Sequence, residues 1–121
     1  MGKNILIVDD SAVMRKIIQR SLRQAGIDIA QIFEGGDGSE GLAVLQDKTP
    51  DLIFSDINMP NMNGLEFVKN VRAKGIQTPI VMITTEGGED KVDEALKLGA
   101  NGYVKKPFTP QYLQDKLRAL L

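Results

Sequence analysis

Four places along this chain carry side chains that could act together: the acid pair Asp9-Asp10, the lone carboxylate Asp56, the hydroxyl of Thr84 and the ammonium of Lys106. Each lies where an apolar run gives way to a turn. Leu52, Ile53 and Phe54 lead into Asp56, and Pro60 with Asn63-Gly64 closes that segment. A short apolar run bounded by turn signals reads as a buried strand, so Asp56 stands where a strand emerges. In open α/β sheets ligands bind outside the carboxyl ends of the strands, which makes this carboxylate a candidate reacting group. On its own it would read as an ordinary acid opening a loop. The acids that end the run Ile5–Val8 change that reading.

Two carboxylates about 5 Å apart repel by roughly 3 kcal/mol at an effective dielectric of about 20. If Asp9, Asp10 and Asp56 converge, the cluster needs a cation, or one acid must keep a proton. The chain has no His and no Cys, so the donors are all oxygen, and Mg²⁺ (or Mn²⁺) retaining several waters is the fitting ion. Such a site has no base, no sulfur nucleophile and no glycine cradle. It does offer a carboxylate nucleophile beside a phosphate-binding metal. Aspartate is a covalent acceptor of phosphoryl groups, and the remaining chemistry is positioning and charge neutralisation. Thr84 can donate a hydrogen bond there, and Lys106 can supply a positive charge.

The elements that must position these groups follow from hydrophobic periodicity. Ile5–Val8 is β-branched and apolar throughout, as in a strand covered on both faces. Ser11 is a good N-cap, and Met14, Ile17, Ile18, Leu22 and Ala25 recur at helical spacing up to Gly26. Ile29–Phe33 reads as a weaker second strand, followed by a turn at 35–38. A second helix carries Leu42, Val44 and Leu45, with Asp37 and Glu40 spaced as a capping box. Strand three is Leu52–Ser55. Asn63 and Glu66 can cap a third helix with the stripe Leu65, Val68 and Val71. Ile80–Ile83 is strand four, and a helix holding Val92, Ala95 and Leu96 runs to Gly99. Gly102–Val104 is a short last strand. Thr109 as N-cap and Pro110 at the first helical position open a final helix that buries Leu113, Leu117 and Leu120.

Alternating strands and helices indicate a parallel sheet of βαβ units. Strands one, three and four are the most continuously apolar and belong in the middle. The fold class is therefore α/β, a doubly wound five-stranded parallel sheet in the known flavodoxin-like order 2-1-3-4-5, with helices on both faces. That order makes strands one and three neighbours, about 4.8 Å apart, and brings Asp9, Asp10 and Asp56 together.

With 121 residues, 42% of them hydrophobic, the chain suits one domain, residues 1–121. Fifteen basic and sixteen acidic residues give a net charge of −1, so there is no positive field for nucleic acid. The absence of Cys excludes disulfides and fits a reducing compartment. The N-terminal apolar run is too short for a signal peptide or a membrane span, and Leu6 stands at the Ser/Thr position of a myristoylation signal. A soluble cytoplasmic protein is expected.

Four motifs in this order resemble the receiver domain of two-component response regulators. They are Ile-Leu-Ile-Val-Asp-Asp-Ser at 5–11, Ser-Asp-Ile-Asn-Met-Pro-Asn-Met-Asn-Gly-Leu-Glu at 55–66, Met-Ile-Thr-Thr-Glu at 82–86 and Tyr-Val-Lys-Lys-Pro-Phe at 103–108. The resemblance implies a signalling phosphoacceptor rather than an enzyme acting on a separate substrate. It would catalyse its own phosphorylation from a sensor histidine kinase and its own slow dephosphorylation. Asp56 would be the acceptor. Asp10, Asp56 and the Asn58 carbonyl would hold Mg²⁺, with Asp9 acting through water. Thr84 and Lys106 would contact the phosphoryl group, the lysine through a cis Lys106-Pro107 bond. Of the two adjacent lysines, the one directly before proline is taken. Asn58 and Glu86 would rim the pocket and tune hydrolysis. Thr84 and Tyr103 would form the switch, Tyr103 turning into space that Thr84 vacates.

The sequence ends at Leu121, so output is expected through a partner on the surface of helix four, strand five and helix five. The run around Asp56 is most similar to the chemotaxis branch of the family. That implies a CheA-like kinase as donor and a FliM-like flagellar motor switch protein as target, with a phosphatase as a further partner and neither nucleic acid nor membrane. A phosphorelay intermediate or a regulator of another pathway would have the same pocket. Gly87-Gly88 leave helix four without a side-chain cap, so its start is expected to fray, and Gly87→Ser with Gly88→Asp is expected to order it and alter switching.

Two unrelated readings fit less well. Gly36–Gly41 matches GxGxxG, but Asp37 and Glu40 would repel the pyrophosphate of a nucleotide or flavin, and the loop follows strand two. An aspartate-nucleophile phosphatase would need its strand-one acids two apart with a threonine beyond, where this chain has Asp9-Asp10-Ser11-Ala12.

Overall fold

The computed structural model describes residues 2–85, 88–106 and 108–120. Its elements alternate: β1 (Lys3–Val8), α1 (Ala12–Gln24), β2 (Ile29–Gly35), α2 (Gly38–Asp47), β3 (Leu52–Asp56), α3 (Gly64–Ala73), β4 (Ile80–Thr84), α4 (Glu89–Leu98), β5 (Gly102–Lys105) and α5 (Pro110–Arg118). The five strands form one parallel sheet in the order β2-β1-β3-β4-β5, as the distribution of apolar runs required.

Side chains along a strand alternate between faces, and the core divides accordingly. Ile5, Ile7, Leu52, Phe54, Val81 and Ile83 pack against Ile18 and Leu22 of α1 and Leu113 and Leu117 of α5. Leu6, Val8, Ile53, Ile80 and Met82 pack against Phe67, Val68 and Val71 of α3 and Val92 and Ala95 of α4. In α3 Phe67 is fully buried together with Val68 and Val71, whereas Leu65 is only half-buried. The register sets Val8 opposite both Gly35 and Ser55, Asp56 opposite Ile83 and Thr84 opposite Lys105. The carboxyl ends of all five strands therefore open onto one edge.

Local signals account for most helix ends. Ser11, Asp37, Asn63 and Thr109 each accept a hydrogen bond from the backbone three residues on, and Asn63 with Glu66 completes a capping box. At α2 the box is incomplete. Glu40 Oε1 accepts from the Gly36 amide at 2.8 Å instead of reaching back to Asp37. The reason lies in β2, which continues to Gly35, two residues beyond the run Ile29–Phe33. There the chain packs so tightly on α2 that a Cβ at residue 35 would come within 2.9 Å of the Gly41 nitrogen. Among the described residues, no helix is long and apolar enough to cross a membrane.

Candidate functional site

The sharp turn after β1 directs Asp9 inward and leaves Asp10 exposed, because Asp9 caps the following turn: its Oδ1 accepts from the Ser11 amide at 2.9 Å. Arg15 of α1 braces the turn, donating through Nη1 to the Asp9 carbonyl and through Nε to Glu34 Oε1 at 2.9 Å. Asp56 ends β3, and its Oδ1 accepts from its own loop, from the Ile57 amide at 2.7 Å and the Asn58 amide at 3.4 Å. Oδ2 of Asp56 carries no hydrogen bond among the described residues. Carboxylate oxygens of Asp9, Asp10 and Asp56 lie within 4.8 Å of one another.

Lys106 enters from the far side. Its amide donates to the Thr84 carbonyl at 2.8 Å, which carries the end of β5 over β4 and sets Nζ 3.7 Å from Asp9 Oδ2. Lys105 goes elsewhere, to Glu89 Oε1 of α4 at 3.0 Å. The adjacent lysines are thus separated by geometry, and it is Lys106 that meets the acids. Burial raises the Asp9 carboxyl above its usual range. The Ser11 amide and Lys106 oppose that shift, and Asp10 adds to it. Asp56 is raised for the same reason, with Lys106 opposing and Asp9 reinforcing.

Asp9 is 1% exposed, yet its Oδ2 has no hydrogen-bond partner among the described residues. A buried carboxylate oxygen left bare costs free energy unless a ligand satisfies it. The all-oxygen donor set, the mutual approach of three acids and this bare oxygen together fit a hard divalent cation such as Mg²⁺.

Beside the acids is a cavity of about 410 Å³ bounded by Asp56, Asn58, Thr84, Gly88, Lys91 and Lys106 among others. Thr84, 5% exposed, faces its wall but donates to the Thr85 carbonyl at 3.1 Å rather than towards Asp56. It also lines a small cavity of about 60 Å³ together with Val92 and Tyr103. Met82, one pleat before Thr84 on the same face, pairs with Tyr103. Tyr103 is half-buried against the α3–α4 side of the core, with Lys116 Nζ 4.9 Å from its ring centre. Thr84 therefore separates the acid pocket from the tyrosine.

The sequence matches the response regulator receiver domain over residues 5–118. This chain belongs to that family. It is 47% identical over 120 residues to a chemotaxis protein CheY homolog of Campylobacter jejuni, covering 97% of this chain and 91% of that protein. It is 46% identical over 120 residues to chemotaxis protein CheY1 of Helicobacter pylori, covering 97% and 95%. Among solved structures, the chemotaxis response regulator CheY4 of Vibrio cholerae superposes with a TM-score of 0.85 at 40% identity over the whole of both chains. The chain is thus a two-component response regulator receiver, a signalling protein with chemotaxis relatives.

In this receiver the expected site residues Asp9, Asp10, Asp56, Thr84 and Lys106 gather at one sheet edge, and Asn58 joins them at the rim. Glu86, Gly87 and the Lys106-Pro107 bond fall outside the described residues. Gly88 is the α4 N-cap and makes no side-chain cap, as expected. Its glycine has a stronger reason, however: a Cβ there would lie 2.1 Å from Thr84 Oγ1. The Gly88→Asp change expected to order the helix start would instead collide with the threonine.

Three further residues were not singled out for the site by sequence motifs. Arg15 supports the acid turn. Asn61, held in the left-handed region at φ 63°, donates from Nδ2 to Asp37 Oδ2 at 2.8 Å and pins the loop after β3 to the start of α2. The third is Lys91 of α4, whose Nζ donates to Asn58 Oδ1 at 3.2 Å. Lys91 and Asn58 are far apart in sequence and share no local pattern.

Proposed function

We propose that Asp56 is the phosphoryl acceptor of a chemotaxis response regulator, with residues 1–121 acting as one receiver domain. What supports this reading is the approach of Asp56 to the Asp9-Asp10 pair, with carboxylate oxygens of all three within 4.8 Å of one another and Lys106 Nζ beside Asp9. In the reaction the Asp56 oxygen forms a bond to phosphorus as the bond from phosphorus to the donor histidine nitrogen breaks. The electron pair stays on that nitrogen, which takes up a proton.

Asp10, Asp56 and the Asn58 carbonyl would hold Mg²⁺, with Asp9 acting through water. Bound there, the ion neutralises charge on the acids and on the transferring group. The Ile57 and Asn58 amides keep Asp56 Oδ1 fixed, which leaves Oδ2 to react. Lys106 is placed to leave Asp9 for a phosphoryl oxygen, and the Thr84 hydroxyl to exchange the Thr85 carbonyl for another. Rotation of Thr84 enlarges the small cavity beside Tyr103 and so couples the pocket to the surface of α4, β5 and α5. The names of the relatives support a role in chemotaxis. In that role a CheA-like kinase would be the donor and a FliM-like motor switch protein the partner on that surface, with a phosphatase returning the protein to its resting state.

Incubation with acetyl phosphate and Mg²⁺ should add the mass of one phosphoryl group to the wild type, and none to Asp56→Asn or in the presence of a chelator. No gain in the wild type, or an equal gain in Asp56→Asn, overturns the assignment. Binding of the phosphorylated protein, and not the resting one, to a motor-switch peptide tests the chemotaxis role.

A further inference from the structure

We propose that Lys91 is a second cationic contact for the phosphoryl group on Asp56, through which α4 is drawn onto the modified aspartate. The inference rests on Asp56 being the acceptor and concerns how the pocket balances charge. With a divalent ion bound, three ionised acids are neutralised by that ion together with Lys106. Phosphorylation removes the carboxylate charge of Asp56 and brings about −1.5 to −2 on the phosphoryl oxygens, so about half to one negative charge is left over.

Two of the described residues lining the cavity are cationic, Lys106 and Lys91. Lys106 already faces the acids. Lys91 lies in the first turn of α4, and its Nζ is held by Asn58 Oδ1 at 3.2 Å. Asn58 is two residues beyond Asp56 and donates its own amide to Asp56 Oδ1 at 3.4 Å. The ammonium thus rests on a neutral, exposed side-chain amide of a residue whose backbone already bonds the reacting carboxylate. Exchanging that acceptor for a phosphoryl oxygen replaces an ordinary hydrogen bond with a charge-assisted one. The flexible four-carbon stem of lysine allows the move without displacing the helix first. Asp90 lines the same cavity with the opposite charge. Without Lys91, α4 would therefore meet the phosphoryl group with an acid alone at this point, and would be pushed away from it.

The test compares wild type, Lys91→Met and Lys91→Arg, each treated with phosphoramidate and Mg²⁺ at low salt. Phosphorylation is followed by intact mass, and residues 89–98 by amide NMR shifts. Lys91→Met is expected to react about three- to tenfold more slowly, with smaller phosphorylation-dependent shifts along α4. Lys91→Arg is expected to restore both, and about 1 M salt to shrink the difference. Equal rates and equal α4 shifts in wild type and Lys91→Met overturn the inference while leaving Asp56 as acceptor. A wild type that takes no phosphoryl group at Asp56 overturns the reading of the pocket and this inference with it.

Discussion

Lys106 Nζ stands 3.7 Å from Asp9 Oδ2, a buried oxygen that has no hydrogen bond among the described residues. The separation is too long for a hydrogen bond and short enough for charge attraction. The lysine therefore steadies the acid without satisfying it. Asp9 keeps an unmet demand for a ligand, and Lys106 remains able to leave for a stronger anion. If Asp56 takes up a phosphoryl group beside a metal ion as proposed, such partial contacts would serve it, since a saturated acid pair would resist both events.

The raised carboxyls of Asp9 and Asp56 predict a pH dependence. Because the folded state holds protons on them above the ordinary value of 3.8, their stabilising contribution is fully present below 3.8 and is lost as pH rises through the raised values. In the absence of divalent ions, Asp56→Asn should be more stable than wild type at neutral pH by about 1 kcal/mol. The gain should vanish at about pH 3.5, where both proteins carry a neutral group at this position. Mg²⁺ should stabilise the wild type more than the variant. Urea denaturation at the two pH values, with and without Mg²⁺, measures all three. An Asp56→Asn variant less stable than wild type at neutral pH contradicts the account.

Gly88 and Thr84 should be energetically coupled. A methyl at residue 88 would come within 2.1 Å of Thr84 Oγ1 and force the hydroxyl off the Thr85 carbonyl. Gly88→Ala should lower stability by about 1–2 kcal/mol in the wild type and by much less in a Thr84→Ala background. A double-mutant cycle in urea reads the difference. Additive effects would show that the two side chains do not compete for space.

Arg72 should matter for the frame rather than the pocket. Its guanidinium donates to the carbonyls of Gly99, Ile76 and Thr78 and to Asn101 Oδ1, all at 2.8–3.1 Å. It thereby ties α3 to the approach to β4 and to the α4–β5 connection. Lysine cannot reproduce that planar fork, so Arg72→Lys should cost about 2–3 kcal/mol, measured by thermal or urea denaturation. A loss below the error of the measurement would mean that water replaces the lost bonds.

The amino-acid sequence by itself determined the element types, the strand order and the convergence of Asp9, Asp10, Asp56, Thr84 and Lys106. Those features are written in contiguous residues: apolar runs set the strands, the continuity of each run sets its depth in the sheet, and the parallel winding sends every strand end to one edge. Only the tertiary structure decided that Lys105 pairs with Glu89, that Glu40 reaches Gly36, that Asn61 ties down the loop after β3, that Gly88 makes room for Thr84, and that Lys91 bonds Asn58. Each of these depends on a loop conformation or on a meeting of residues far apart in the chain. Neither the two-residue period of a strand nor the 3.6-residue period of a helix records such a meeting, because both describe which way a side chain faces and not what another segment places in front of it.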